Sequence, residues 1–472
     1  MRKTLKLMFF IAIVTVSIIP SGCKVSKEAM VTDIGLPETY SGSTVDTSNI
    51  ALIPWEQFFS ISELKELIGE AIGHNNDLRV AIKHIEEAAL VLRQAKWANV
   101  PTLTFQAGAN SSRPSDNSLN GLTLGNFLHQ SHVENYTLAA SLSWEADLWG
   151  KIRSQKAESL AELLRTNEAK NAIQTRLVSD VAKGYYNLLM LDEQLEIAKR
   201  NVQLNDSTLQ MIRLQFDAGQ VSYLAVQQAQ AQKLDAEYLV PQFEQQIVIQ
   251  ENAMSVLTGK YPQAIPRSAV LKEIKFSDKL SPGIPVHLLS RRPDVKVAEL
   301  VLSKANAEVG YAKASLYPSL NITAQGGLEA FKASNWFEIP SSLFGAVAGG
   351  LTQPLLNQRK LRTTYRVARI HREQAMIDFR QSILMAVGDV ADNLVKIEKY
   401  REQSVFALER VQTLRNATAN SRMLFGNGLA TYLEVLTAQS NVLQSELTLA
   451  SVTKAQLEAR VDLYRALGGG WE

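Results

Sequence analysis

Two stretches of this chain, residues 115–240 and 355–472, contain no proline. Proline lacks the amide that an interior helical turn needs, and its ring clashes with the turn before it. Stretches this long without it, rich in Ala, Leu, Gln, Glu and Arg, predict long helices. The two stretches also resemble each other. Phe216, Gly219, Ser222, Tyr223, Leu224, Val226 and Ala229 match Phe425, Gly428, Thr431, Tyr432, Leu433, Val435 and Ala438 at an offset of 209. The same offset pairs Asp180 with Asp389 and Arg153 with Arg362. Upstream it becomes 217, pairing Asp77 with Asp294, Lys96 with Lys313 and Pro101 with Pro318. The chain therefore reads as one unit written twice, over 60–259 and 285–468, with a longer loop after Leu103 in the first copy. A linker at 260–284 holds Pro262, Pro266 and Pro282, and residues 469–472 form a short tail.

Each unit reads helix, two strands, long helix, turn, long helix, a mainly α fold class with a small β part. In the first copy Leu177, Val181, Leu188, Leu191, Leu195 and Leu209 keep the 4-3 spacing of a coiled-coil seam, interrupted at Gly184 and Asn205. The second copy has a weaker seam through Ala386, Val390, Ile397 and Val411. A helix over about 152–216 would be about 100 Å long at ~1.5 Å per residue. Gly219 and Gly428 stand where the outgoing helices end, and Pro241 predicts a kink in the first returning helix. Strands are expected at 102–107, 136–144, 319–324 and 346–352. Their alternation of apolar with small or polar residues suits a barrel wall with one wet face. The polar loop 110–134 reads as an exterior surface element.

Lys and Arg number 49 against 47 Asp and Glu, a net charge of +2, so no basic bias points to nucleic acid. The single cysteine excludes a disulfide framework and any cysteine-cluster metal site. Residues 1–22 read as a signal peptide. A basic head is followed by an apolar run, Leu7 to Ile19, too short for a span of about 20 residues. Small residues then precede Cys23, as in a bacterial lipoprotein box, so 23–59 becomes a lipidated N-terminal segment with covalent lipid on Cys23. Pro20 departs from that pattern, and ordinary cleavage that leaves Cys23 a free thiol is the competing reading. Lys24 fits sorting to the outer membrane. His129 and His132 form a weak H-x-x-H pair without a supporting ligand, so no metal or other cofactor is expected. Nucleophile-elbow, zinc-protease and P-loop signatures are missing, so the chain reads as no enzyme and must borrow energy for transport.

Four strands per chain cannot close a barrel, and an open edge in lipid leaves backbone groups unpaired. If the strands span a membrane, three chains sharing one barrel give twelve strands, an allowed even number. The long helices are too polar for lipid and then belong to water. The competing reading is a soluble coiled-coil lipoprotein with two hairpins, structural or adhesive in role.

The segment Arg291, Arg292, Pro293, Asp294, Val295 resembles the RRPDV motif of the TolC-like outer membrane factors, the outer membrane efflux lipoproteins. The stretch from Trp144 through Asp147, Trp149 and Gly150 to Arg153, the run Gln353 to Leu356, and the ending Tyr464 to Trp471 are similar too. The resemblance covers nearly all of 50–472. It implies a homotrimer with a 12-stranded outer membrane β-barrel on an α-helical barrel. It further implies the exit duct of a tripartite efflux system, conducting small toxic compounds or metal ions, with a periplasmic adaptor protein and an inner-membrane transporter, often RND-type. An outlet for secreted proteins is the nearest alternative. The resemblance places the periplasmic gate six and nine residues after the second-copy glycine, at Glu434 and Thr437, so one of two expected carboxylate rings is kept. Glu434 as a plainly solvated helix residue is the competing reading. The family's latch positions hold Ala225, Phe425 and Ala430, so that latch is absent. The turns Gly219, Gln220, Val221, Ser222 and Gly428, Leu429, Ala430, Thr431 resemble the tips that meet the adaptor.

Overall fold

The computed structural model describes residues 50–123, 126, 131–274, 285 and 287–472. Cys23, the signal segment, His129 and residues 275–284 of the linker lie outside the described residues. The fold is mainly helical. Its larger elements are α1 (Ser62–His74), α2 (Asn76–Trp97), β1 (Thr102–Ser112), β2 (Val133–Ala146), α3 (Lys151–Asp217), α4 (Tyr223–Leu257), α5 (Pro293–Ala314), β3 (Ser319–Ala330), β4 (Leu343–Thr352), α6 (Lys360–Gly426) and α7 (Tyr432–Ala466). Both α3 and α6 have 67 residues, both α4 and α7 have 35, and each pair starts 209 residues apart. Pro241 lies inside α4 on its exposed side, and the helix runs through it unbroken.

The chain divides into two compact units. Unit 1 takes its described residues from 87–164 and 300–377 and holds the sheet; unit 2 takes them from 50–86, 165–299 and 378–472. In unit 1 the four strands pair antiparallel in the order β1-β2-β3-β4. Two hairpins are thus joined by the β2–β3 ladder, from Tyr136 opposite Ala330 to Ala146 opposite Leu320. The register sorts the side chains into two faces, because successive residues of a strand point to opposite sides. One face carries Leu103 and Phe105, then Leu138, Ala140, Leu142 and Trp144, then Ile322, Ala324 and Leu328, then Leu343, Val347 and Leu351. The other carries Thr104, Gln106 and Asn110, then Thr137, Ser141 and Ser143, then Asn321, Thr323 and Gln325. The ladders are tight where Gly327 crosses β2: a Cβ there would collide with the Leu138 carbonyl.

The strand-to-helix junction explains one of the sequence motifs. Asp147 caps α3 by accepting from the amides of Ile152 (3.0 Å) and Arg153 (2.9 Å). Trp149 Nε1 donates to the Pro318 carbonyl at 2.8 Å and its ring stacks on Tyr317 at 4.9 Å. Trp144 Nε1 donates to the Asn99 carbonyl at 3.0 Å. Lys151 Nζ reaches both oxygens of Glu145 at 2.9 and 3.0 Å. Nearby, Glu158 is half-buried beside Glu308 and Glu162; burial first, then the Glu308 charge, pushes its pKa up, partly opposed by Lys304.

Unit 2 has its main core where α1, α3, α4 and α7 meet, around Leu64, Ile68, Tyr185, Tyr186, Phe243 and Met254. Burial pushes the Tyr185 hydroxyl up to about 12. The RRPDV motif sits at the edge of this unit. Arg292 is 8% exposed, immediately before α5. It donates to Asp294 at 2.6 and 3.0 Å, to Asp389 at 3.0 Å, and to the carbonyls of Ala466 (3.1 Å) and Ala386 (3.4 Å). Asn75 stands at the equivalent point of the first half, between α1 and α2. Its Nδ2 donates to the Leu257 carbonyl at 3.0 Å, and its Oδ1 accepts from the Leu78 amide at 3.1 Å. Leu257 ends α4 as Ala466 ends α7, so each returning helix has its last turn tied to the residue that opens the next helix. The C-terminal tail closes over this region: Tyr464 donates to the Ile53 carbonyl at 2.6 Å and stacks on Phe58, and Arg291 pairs with Glu472 at 2.8 Å.

Candidate functional site

The two turns between long helices are built alike. The Gly219 amide donates to the Phe216 carbonyl and the Gln220 amide to the Gln215 carbonyl, both at 2.8 Å; Gly428 donates to Phe425 at 3.0 Å and Leu429 to Leu424 at 2.9 Å. This is the Schellman arrangement, which needs its glycine in the left-handed region. Gly219 has φ 72° and Gly428 φ 73°. The sequence signal for it was a glycine at the end of an apolar 4-3 pattern.

Both turns pack on one apolar cluster of Leu209, Ile212, Val226, Phe425, Val435 and Leu436, with Val221, Ala430 and Tyr432 partly buried against it. Ala225 and Phe425, at two of the positions where the family's latch residues would stand, are buried in this same apolar cluster. Gly219, Gln220, Ser222, Gly428, Leu429 and Thr431 stay exposed around it. Glu434 and Thr437 are both exposed near the start of α7. The Glu434 carboxylate already has a local task. Its Oε2 accepts from the Thr431 amide at 2.6 Å and from the Thr431 hydroxyl at 3.2 Å, a capping-box contact that holds the first turn of α7. The contact also fixes where the carboxylate stands relative to the turn.

Three features of unit 2 escape a reading of motifs. Asn75 and Arg292 tie helix ends together, and their alignment at the 217 offset beside Asp77 and Asp294 was the available signal. Arg267, after the first returning helix, bridges Asp192 and Glu251, each at 2.5 Å. Gln439, wholly buried, donates to the Thr208 hydroxyl at 2.7 Å across α7 and α3. His132 lies beside Glu134 at 3.6 Å next to the far end of β2. Among the described residues no group of three or more His, Cys, Asp or Glu is placed to hold a metal ion, and no helix is long and apolar enough to cross a membrane.

Comparison with known proteins agrees with this architecture. The solvent efflux pump outer membrane protein SrpC of Pseudomonas putida is 30% identical over 438 residues, 92% of this chain and 91% of its own length. The probable outer membrane lipoprotein SilC of Salmonella typhimurium is 26% identical over 88% of each chain. The cation efflux system protein CusC of Escherichia coli K12 is 26% identical over 95% of this chain, and a crystal structure of CusC superposes with a TM-score of 0.85 over 95% of this chain and all of that one. The sequence profile described as outer membrane efflux protein matches residues 67–260 and 284–469. The two matched segments correspond to the two halves of the chain, and the protein belongs to the outer membrane efflux protein family.

Proposed function

We propose that this protein is the outer membrane exit duct of a tripartite efflux system. The observation that carries the reading is the two-faced sheet: one face is apolar from edge to edge, the other is mainly polar on β1 to β3 and carries Phe344, Ala346 and Ala348 on β4, and among the described residues the outermost strands β1 and β4 each lack a partner on one side. Such a sheet suits lipid on one side and water on the other only when its edges are paired. Three copies joining β4 of one to β1 of the next close twelve strands without an edge, a head-to-tail contact that forms a ring. Unit 2 supports the same head-to-tail contact. Within it α3 touches both α4 and α7, and α7 touches α6. The outer flanks of α4 and α6 keep large apolar side chains exposed, Tyr238, Ile249 and Val256 on one and Leu384, Val395 and Phe406 on the other. Those flanks suit each other's company in a homotrimer, where the duplicated unit 60–259 and 285–468 supplies an even wall twice per chain.

In this reading the turns at Gly219–Ser222 and Gly428–Thr431 meet the periplasmic adaptor protein. An inner-membrane transporter, of RND type, supplies the energy. Three Glu434 side chains ring the periplasmic mouth as a gate, with Thr437 beside them; convergent carboxylates attract cations and repel anions. Lipid on Cys23 tethers the N-terminal segment 23–59 to the outer membrane. The cargo is small toxic compounds or metal ions; SrpC is named for solvent efflux and CusC for cation efflux. The test is purified protein in planar bilayers together with its native mass. Trimers that form discrete pores support the duct; absence of conductance in every condition favours a structural coiled-coil lipoprotein.

A further inference from the structure

The duplication lets contacts inside one copy of the chain foretell contacts between copies. In unit 1, α5 packs on both α3 and α6. Its Lys304 donates to Glu162 of α3 at 3.3 Å. On another side Val309 and Ala312 pack against Tyr365 and Ala368 of α6. One turn from Glu162, Glu158 feels the charge of Glu308, so two rows of side chains face each other across α3 and α5.

At the 217 offset α2 repeats α5. Ala88, Leu92 and Ala95 are buried, as are their equivalents Ala305, Val309 and Ala312. The flank that α5 turns to α3 holds Lys304 and Glu308, and the equivalent flank of α2 holds Glu87 and Val91, both exposed. At the 209 offset α6 repeats α3. Glu158 and Glu162 are half-buried beside α5, whereas their equivalents Val367 and His371 are exposed. Val91 keeps 48% of its surface and Val367 41%. Each copy thus carries two uncovered flanks, and each flank is the mate that the repeat supplies for the other. The two rows also change together between the repeats. The cation and carboxylate of Lys304 and Glu162 become the carboxylate of Glu87 and the imidazole of His371, reversed in polarity but still matched. The two acids Glu308 and Glu158 become the two valines Val91 and Val367. Imidazole opposite a carboxylate serves as a cation or as a neutral N–H donor. Joining β4 of one copy to β1 of the next brings the same flanks together, since α6 follows β4 and α2 precedes β1.

We propose that Glu87 of one copy pairs with His371 of the partner subunit, beside a contact between Val91 and Val367 of the partner subunit. This head-to-tail contact repeats between chains the α3–α5 contact found within one. The inference rests on the duct reading above. The first test replaces Cys23 by alanine in the full-length protein and introduces Val91→Cys and Val367→Cys together. The protein is oxidised, or treated with a short bis-maleimide, in membranes and run on non-reducing denaturing gels. Covalent dimers and trimers are expected from the double variant and from neither single one, and Glu308→Cys with Val367→Cys should give none. The second test keeps Cys23 and measures the dissociated fraction in detergent. Glu87→Lys and His371→Glu should each raise it about ten-fold, the effect of three exposed pairs per ring lost together. The double variant copies the polarity of Lys304 and Glu162 and should return to within about two-fold of the parent. Trimers by native mass that give no cross-link, or a double variant as dissociated as the single ones, refute this contact and leave the duct standing. A parent that forms no trimer refutes both.

Discussion

Removing Arg292 should damage this protein more than any other single change in the RRPDV segment. Its guanidinium is nearly buried and makes five contacts to three segments: Asp294, Asp389 with the Ala386 carbonyl on α6, and the Ala466 carbonyl that ends α7. Burial opposes its charge, but Asp294 and then Asp389 more than offset that, and its pKa is raised. Truncating one member of a buried, hydrogen-bonded pair costs about 3–5 kcal/mol. Asp294 and Asp389 keep 51% and 45% of their side-chain surface, so water takes over part of their solvation and the low end, ~3 kcal/mol, applies to Arg292→Ala. Asn75 does the equivalent task with neutral bonds, and Asn75→Ala should cost only ~1 kcal/mol. Arg292→Lys keeps the charge but loses the fork, and should fall between the two.

Acid provides an internal control. Although burial pushes the Asp294 pKa up, the bonds and charge of Arg292 outweigh it, and the carboxyl ends below its usual 3.8. The pair's stabilisation is therefore present above 3.8 and disappears as pH falls through the folded value. Unfolding of the detergent-solubilised protein by heat and by denaturant at neutral pH measures all three variants. Destabilisation by Asn75→Ala equal to that by Arg292→Ala, or acid sensitivity below 3.8 that Arg292→Ala leaves unchanged, would rule out this role for the Arg292 fork.

Other changes probe the sheet, the turns and the gate. Gly327→Ala should block β2–β3 pairing, because a Cβ collides with the Leu138 carbonyl; loss of the assembled species on non-denaturing gels is expected, whereas Gly349→Ala, with open space around it, should assemble normally. Gly219→Ala and Gly428→Ala meet no neighbouring atom, so each should cost only the ~1–2 kcal/mol of a left-handed backbone, read as equal drops in unfolding midpoint. Glu434→Gln should lower cation over anion selectivity in bilayer conductance while the Thr431 contact persists through the remaining side-chain oxygen; unchanged selectivity removes Glu434 from the gate.

Much of this fold was legible because its signals are local. The α3 helix runs from Lys151 to Asp217 where 152–216 was expected, since an apolar period over many turns leaves little ambiguity. β1 and β3 begin where expected, at Thr102 and Ser319, but extend further, and β2 and β4 begin three residues before the expected 136 and 346, at Val133 and Leu343. β1 reaches Ser112 and β3 reaches Ala330, through Asn110 and the Gly326–Gly327 pair, which by themselves suggest a turn. Those residues stay in strand because cross-strand partners hold them, and pairing between β2 and β3 spans nearly two hundred residues, beyond any local pattern. The contacts of Arg292 and Gln439 were invisible for a related reason. A buried arginine or glutamine is spelled like an exposed one, and only tertiary contact reveals the carbonyls and hydroxyl it serves. At the candidate site the glycines were readable from helix-end chemistry, while the capping contact of Glu434 with Thr431 shows a second task for a residue singled out by position alone.

In the proposed duct one face of the sheet meets lipid and the other lines a water-filled passage. Replacing Cys23 and placing single cysteines in turn at 137–144, each carrying a fluorophore, allows quenching by lipid-borne and by aqueous quenchers to be compared in membranes. Strict alternation is expected: lipid quenching at Leu138, Ala140, Leu142 and Trp144, and aqueous quenching at Thr137, Ser141 and Ser143. Uniform aqueous quenching along the strand, or quenching without a period of two, would contradict it.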